Sequence, residues 1–329
     1  MKNTKNEIAI IGCGYWGSIL AKNLNELSSN KIFLYDNNKK NLKNLNKKIK
    51  NTVILKSLNS LIKNKEIKNV ILATPPSQNF KITKKLIVNN KNIFIEKPGF
   101  IKLKQFNEII KLSKIFKNLI MVGYVYLYND YIKKIKNIID KNELGKIVFI
   151  KSIRENLGPI RTDIDCNFDL ASHDLSIISY LLNKKIKYQT SIKHKILNDK
   201  NTDISSIQMQ SGDVKIEIRT SWLDPEKIRK LIIIGTKKML VFNEMSKNKL
   251  LIYNQYANFP EIKKLNKIIF SKKPKIHKGK FKKINIRESS PVKNELLIFL
   301  KCINQKKEPI SNLEFSKNIF KILKLTNKN

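Results

Sequence analysis

The chain has 329 residues, 41% of them hydrophobic, which is enough for about two domains with sizeable cores. Its formal charge is +40, yet 61 of the basic residues are lysine and only five are arginine (Arg154, Arg161, Arg219, Arg229, Arg287). The lysines are spread along the whole sequence among many Asn and Ile. That is a compositional bias rather than a binding face, and base readout favours the bidentate arginine fork, so no specific nucleic-acid partner is expected. Attraction to polyanions at low salt, and a preference for an anionic substrate, follow from charge alone.

The three cysteines, Cys13, Cys166 and Cys302, are far apart and form no CxxC pair, which fits a reducing compartment. No apolar stretch approaches the length of a membrane span, and the apolar run near the start is too short for a signal peptide. A cytoplasmic protein with no membrane partner is expected. No cluster has metal-ligand spacing, so no metal is expected.

Residues 8–17 read IAIIGCGYWG. The apolar run suits a strand buried on both faces, and Gly12, Gly14 and Gly17 have the spacing G-x-G-x-x-G. In a strand–turn–helix context Gly12 makes the turn, Gly14 lets the backbone approach a pyrophosphate, and Gly17 lets helix and strand pack closely. The pyrophosphate would sit at the helix start, beside Tyr15 and Trp16, where N–H groups are free to bind it. A helix follows, then strand KIFLYD, ending at Asp36. That acid lies 19 residues after Gly17, near the spacing of the carboxylate that accepts the ribose 2′-OH. A carboxylate there disfavours a 2′-phosphate, so NAD is expected over NADP; Lys39 and Lys40 lie just beyond. Strand VILATPP then brings Thr74 and Pro75 to the same sheet edge, and strand NIFIEKP brings Glu96, Lys97 and Pro98. A lysine at a strand end, fixed by proline, is a candidate acid, base or orienting group.

From about residue 126 the pattern changes to longer strands of period two, with one helix over residues 169–182. The expected fold class is α/β. A Rossmann doubly wound parallel sheet spans residues 1–125, and an α+β domain with an open, largely antiparallel sheet spans residues 126–329. Helices over about 291–325 are expected to return to the first domain. The lysine-dense stretch 258–285 reads as a solvated loop with an edge strand. In NLGPIRTDIDCNFDLASHD, Asp169 is the expected N-cap of the helix, and His173 lies four residues on, along the same face. An Asp that orients a His is an acid–base pair.

Taken in order, GCGYWG, Asp36, ATPP, EKP, VGYVYLYN, RENLGPIRTDIDCNFDLASHD, SWLDPEKIRKLIIIG and SPVKNELLIFL resemble the glucose–fructose oxidoreductase/inositol dehydrogenase family, Gfo/Idh/MocA. The resemblance implies an NAD(P)-dependent dehydrogenase acting on CH–OH groups, a small-molecule sugar or nucleotide-sugar substrate, and a homo-oligomer, dimer or tetramer. It implies that Lys97, Asp169 and His173 are catalytic. Tyr124, Arg154, Asn156, Arg161 and His173 would then meet the substrate. The closest likeness is to the branch acting on sugars and sugar nucleotides, including 3-dehydrogenases of UDP-linked amino-sugar uronates. This chain departs from the family pattern at Asn79 and Tyr124, where histidines are common, and at Phe168 and Ser172. A non-catalytic NAD-binding sensor or scaffold with a basic surface is the alternative.

Overall fold

The apolar run ahead of the first glycine forms β1 (Glu7–Ile11), whose Ala9, Ile10 and Ile11 are buried. Burial on both faces follows from its place in the sheet. It pairs in parallel with β2 (Ile32–Tyr35) on one side and β4 (Ile67–Leu72) on the other. In the computed structural model, which describes residues 7–27, 31–162, 164–257 and 276–327, six parallel strands lie in the order β3-β2-β1-β4-β5-β6. The remaining strands are β3 (Thr52–Ile54), β5 (Asn92–Glu96) and β6 (Ile120–Gly123). The chain reverses direction of travel between β1 and β4. That is the switch point at which a doubly wound sheet opens a crevice beyond its carboxyl ends.

Helices α1 (Tyr15–Leu27), α2 (Lys39–Lys48), α3 (Leu58–Lys63), α4 (Pro76–Val88) and α5 (Leu103–Phe116) connect these strands. Their starts follow local chemistry. The Asn38 side chain accepts from the Lys40 N–H, Ser57 closes a capping box with Ser60, and Pro76 takes a first-turn position that needs no N–H.

Two compact units divide the chain. One comprises Met1–Tyr128 with Ser289–Lys321, and the other Asn129–Glu288 with Ile322–Asn329. The second unit begins with α6 (Asp130–Asp140), capped by Asn129, and β7 (Ile147–Leu157). A π-helical turn (Asn167–Ala171) then runs into α7 (Ser172–Leu182). The strands that follow are β8 (Lys187–His194), β9 (Ile204–Ser211), β10 (Val214–Ser221), β11 (Leu223–Gly235), β12 (Met239–Asn243) and β13 (Leu250–Tyr253). With β16 (Phe281–Lys283) they form an eight-stranded sheet in the order β16-β13-β12-β11-β7-β10-β9-β8. Every pairing is antiparallel except β7 with β10. β14 (Tyr256–Ala257) and β15 (Ile276–His277) make a small separate ribbon. The period-two pattern is explicit in β9, where Ser205, Ile207, Met209 and Ser211 are buried and their neighbours are not.

One sequence expectation changes here. The strand expected to run through SWL stops at Ser221, and β11 starts already at Leu223, its register against β7 shifting before Ile228. Pro225 lies in that shifted stretch and has no N–H to give to a ladder. Of the lysine-dense stretch, residues 258–275 lie outside the described residues, and its remainder supplies edge strand β16.

The chain ends in α8 (Pro291–Gln305) and α9 (Leu313–Thr326). α8 packs on α1 and completes the first unit, as does α9 as far as Lys321. Phe299 of α8 meets Phe94 of β5 edge-on at 5.7 Å, and Phe320 of α9 meets Phe106 of α5 at 5.4 Å.

Candidate functional site

In the first unit the glycine turn has the shape that each position requires. Gly12 has φ +91°, and a Cβ there would stand 2.5 Å from the Ala73 carbonyl oxygen. A Cβ on Gly17 would fall 1.8 Å from the Gly12 carbonyl oxygen, so only glycine lets α1 approach the turn. At Gly14 a Cβ would meet nothing within 4 Å. Open space there, beside the start of a 13-residue helix, fits a pyrophosphate approached by backbone N–H groups. Tyr15, 84% exposed, flanks the same opening. Cys13, between the glycines, is buried, and burial pushes its thiol up to about 12, with Asp36 adding to the shift. It stays a thiol at neutral pH and offers no nucleophile.

Asp36 ends β2 against the same turn. One carboxylate oxygen accepts from the Cys13 N–H at 2.7 Å and the other from the Asn38 N–H at 2.7 Å. These bonds fix the carboxylate at the rim where a ribose would lie. Beyond β4, the Thr74 hydroxyl donates to Asn79 Oδ1 at 2.7 Å, and Asn79 Nδ2 donates to the Gly99 carbonyl at 2.9 Å. Asn79, 0% exposed, therefore ties the ATPP loop to the EKP turn. The sequence marked it only as a departure from a histidine pattern. In the EKP turn, Gly99 N–H donates to Glu96 carbonyl at 2.9 Å, and the Lys97–Pro98 peptide is cis. Ser316 of α9 donates to the Pro98 carbonyl at 3.0 Å. Asp36, Thr74, Pro75, Glu96 and Lys97 thus stand at one carboxyl edge of one sheet, and these residues fit a dinucleotide.

Tyr124 follows β6 at that edge, but its side chain is buried. It is 1% exposed, its hydroxyl is paired with Ser316 at 3.1 Å, and its ring lies edge-on to Phe315. Burial holds the phenol protonated. The expectation of a substrate contact is corrected to a core residue, since a ring of this size here contributes by packing.

In the second unit the turn that carries Asp169 and His173 is built differently from the expectation. Asp169 is not an N-cap. It lies inside the π-turn, and Asp165 does the capping, accepting from the Phe168 N–H at 2.9 Å. Single π-turns inset in helices re-aim side chains and recur at functional sites. Asp169 is held from two sides. Trp222 Nε1 donates to its Oδ2 at 3.4 Å, and an Arg161 guanidinium nitrogen lies 3.7 Å from its Oδ1. Trp222 is fully buried with Cys166 and Leu170 beneath the turn. His173 stands half-buried one turn beyond Asp169, in the first turn of α7. Ser172, a departure from the family pattern, donates to the Asp169 carbonyl at 3.1 Å.

Arg154, expected at the substrate, is 4% exposed. Its Nε donates to Asp174 Oδ2 at 2.7 Å and its NH2 to Oδ1 at 3.1 Å, while Ser152 donates to the same carboxylate at 2.8 Å. This correction has a simple cause: a buried guanidinium needs a paired carboxylate, and Asp174 supplies it from α7. Asn156 accepts from Arg229, which also donates to the Glu155 carbonyl at 2.9 Å. Sequence reading gave no role to Arg229, Trp222 or Asp165. Of these only the tryptophan, one of two in the chain, carried a compositional cue. Among the described residues no group of three His, Cys, Asp or Glu side chains could hold a metal ion. No described helix is long and apolar enough to cross a membrane.

Residues 6–124 match the family described as "Oxidoreductase family, NAD-binding Rossmann fold", GFO_IDH_MocA. The chain carries the Gfo/Idh/MocA NAD-binding domain. The chain is 22% identical over 183 residues to an uncharacterized oxidoreductase of Bacillus subtilis (strain 168), covering 54% of each sequence. It is 20% identical over 186 residues to the myo-inositol 2-dehydrogenase of Thermotoga maritima, covering 55% of this chain and 56% of that one. It therefore spans about half the length of these curated relatives. The UDP-N-acetylglucosamine 3-dehydrogenase structure from Acidithiobacillus ferrooxidans superposes with a TM-score of 0.80 at 15% identity, over 97% of this chain and 96% of that chain. This likeness extends the shared fold to nearly the whole chain.

Proposed function

We propose that the chain is an NAD-dependent dehydrogenase acting on a secondary hydroxyl of a sugar or sugar nucleotide. The observation that carries this reading is Asp169, clamped between Arg161 and Trp222 one helical turn before His173. NAD, when bound, supplies the hydride acceptor. The chain's own residues do the rest. In this reading His173 takes the hydroxyl proton, and Asp169, one helical turn before it, is the carboxylate placed to orient the imidazole. Arg161, beside Asp169, helps to hold that carboxylate in place. Lys97 donates a hydrogen bond to the substrate oxygen and stabilises the negative charge that develops as the proton leaves. The hydride leaves from the carbon bearing that oxygen, so an alcohol becomes a ketone. The names of the relatives, an inositol dehydrogenase and a UDP-amino-sugar dehydrogenase, support the substrate class. The carboxylate of Asp36 at the ribose rim supports NAD over NADP. The reading also takes the chain as a homo-oligomer, dimer or tetramer, in keeping with the family resemblance.

The test is NADH formation from a panel of inositols, free sugars and UDP-linked sugars. Reduction with at least one of them is expected. NAD binding with no reduction across the panel overturns the reading in favour of an NAD-binding sensor.

A further inference from the structure

Beneath the EKP turn the first unit buries two carboxyl groups against each other. Phe94 and Glu96 are two residues apart on β5 and share one of its faces. Across from Glu96, in register on β6, stands Gly123. A Cβ on Gly123 would lie 2.9 Å from the Phe94 ring and 3.0 Å from Glu96 Oε1, so both side chains fill the space that glycine leaves. On α8, Glu295, Phe299 and Cys302 share one helix face. Phe299 packs edge-on against Phe94. One turn of helix back from Phe299 covers about the same distance as two residues of strand on from Phe94. Glu295, one helical turn back from Phe299, lies close enough to Glu96 to feel its charge.

Glu295 is 0% exposed, and neither of its carboxyl oxygens finds a hydrogen-bond partner among the described residues. Glu96 Oε1 is likewise buried and unpartnered. The Trp16 indole N–H lies next to the Glu96 carboxyl but closes no well-directed bond to it. The charged and titratable groups around the pair are few. Lys97 adjoins Glu96, Tyr128 faces Glu295 with its hydroxyl paired to Ser311, and Cys302 lies two turns along α8. The α1–α8 contact adds a Glu26–Lys293 ion pair at the surface. Two ionised carboxylates cannot stand together in such a place, whereas one shared proton lets a single charge remain opposite Lys97.

We propose that Glu295 is a positioning residue for the cofactor edge: a neutral carboxylic acid under Glu96, the two carboxyls holding one proton between them and so keeping the Glu96–Lys97 step seated on α8. Burial pushes Glu96 up to about 7, and burial with the Glu96 charge pushes Glu295 well above the carboxyl range. The folded chain then holds protons that the unfolded chain releases above about pH 4.5. Stability from this pair is full below that value and falls as pH rises through the folded values.

The first test is melting temperature against pH for the full chain without cofactor. Glu295→Gln keeps the shape and removes the second acid. Near pH 5 it should melt within about 1 °C of wild type, and near pH 8.5 about 3 °C or more above it. Glu295→Leu should show the same pH-dependent gap. A gap that stays constant from low to high pH, in either variant, overturns the shared proton. A second measurement needs no change at Glu295: the emission difference between wild type and Trp16→Phe should show a step as pH passes through neutrality, and a flat difference overturns the proposal. The positioning role, which rests on the function proposed above, is read from NAD affinity. Affinity should weaken on the alkaline side in wild type and hold in Glu295→Gln, and parallel pH profiles overturn the positioning role. A chain that shows the melting signature but binds no NAD at any pH keeps the shared proton and sinks the dehydrogenase reading instead.

Discussion

At the cofactor edge of the first unit, geometry is set by missing side chains. α1 reaches the Gly12 carbonyl only because Gly17 has no Cβ, and the space beside Gly14 is open for the same reason. In the second unit, geometry is set by charged side chains pairing across elements: Arg161 and Trp222 on Asp169, and Arg154 and Ser152 on Asp174. The first arrangement is local in sequence and works through the backbone. The second gathers residues from β7, the π-turn, α7 and the β10–β11 junction, and works only once those elements have packed. The proposed cofactor edge and the proposed acid–base turn are thus different kinds of structure. Substitutions in the two regions should fail in different ways.

The largest effect is expected at the acid–base turn. His173→Ala should lower turnover roughly 100- to 10,000-fold while NAD affinity stays at the wild-type value. Steady-state rates beside a fluorescence titration with NAD check this, and a parallel fall in NAD affinity would break the separation. Next is the buried pair. Arg154→Ala leaves the Asp174 carboxylate buried and uncompensated, which should cost about 3–5 kcal/mol and lower the denaturant midpoint of the second unit. Adding Asp174→Leu should restore much of that loss. If the single variant unfolds like wild type, Arg154 is free for the substrate role that its sequence context suggested. Smaller still is the change in cofactor choice. Asp36→Ser removes the charged acceptor facing a ribose hydroxyl, a difference of roughly 1.5–3 kcal/mol. The ratio of NAD to NADP dissociation constants should move by about tenfold or more toward NADP. An unchanged ratio would mean that Asp36 serves only the Cys13 and Asn38 N–H groups.

The same contrast explains what could be read from sequence. The six parallel strands, their connecting helices and the roles of Gly12, Gly14 and Gly17 were legible because strand burial and glycine spacing are local patterns. The alternating strands of the second unit were legible for the same reason. The helix around Asp169 was legible, but the place of Asp169 in it was not. Helical periodicity assumes 3.6 residues per turn, and the π-turn over Asn167–Ala171 breaks that count and moves the cap to Asp165. The burial of Tyr124 and Arg154 was not legible, because their partners, Ser316 and Asp174, come from other elements. Asn79 was invisible for a similar reason. A polar residue on a helix carries no mark of the two loops it ties together.

The return of the chain to its starting unit has a consequence for synthesis. The strands that hold the glycine turn emerge first, but Glu295, Phe299 and Ser316, which seat the EKP turn from behind, lie beyond residue 288. At ordinary elongation rates, roughly ten to thirty seconds separate the end of β6 from the first residues of α8. For that interval the growing first unit lacks the helix that covers Phe94, and its sheet is open there. The first unit therefore closes only after residues 129–288 have been made.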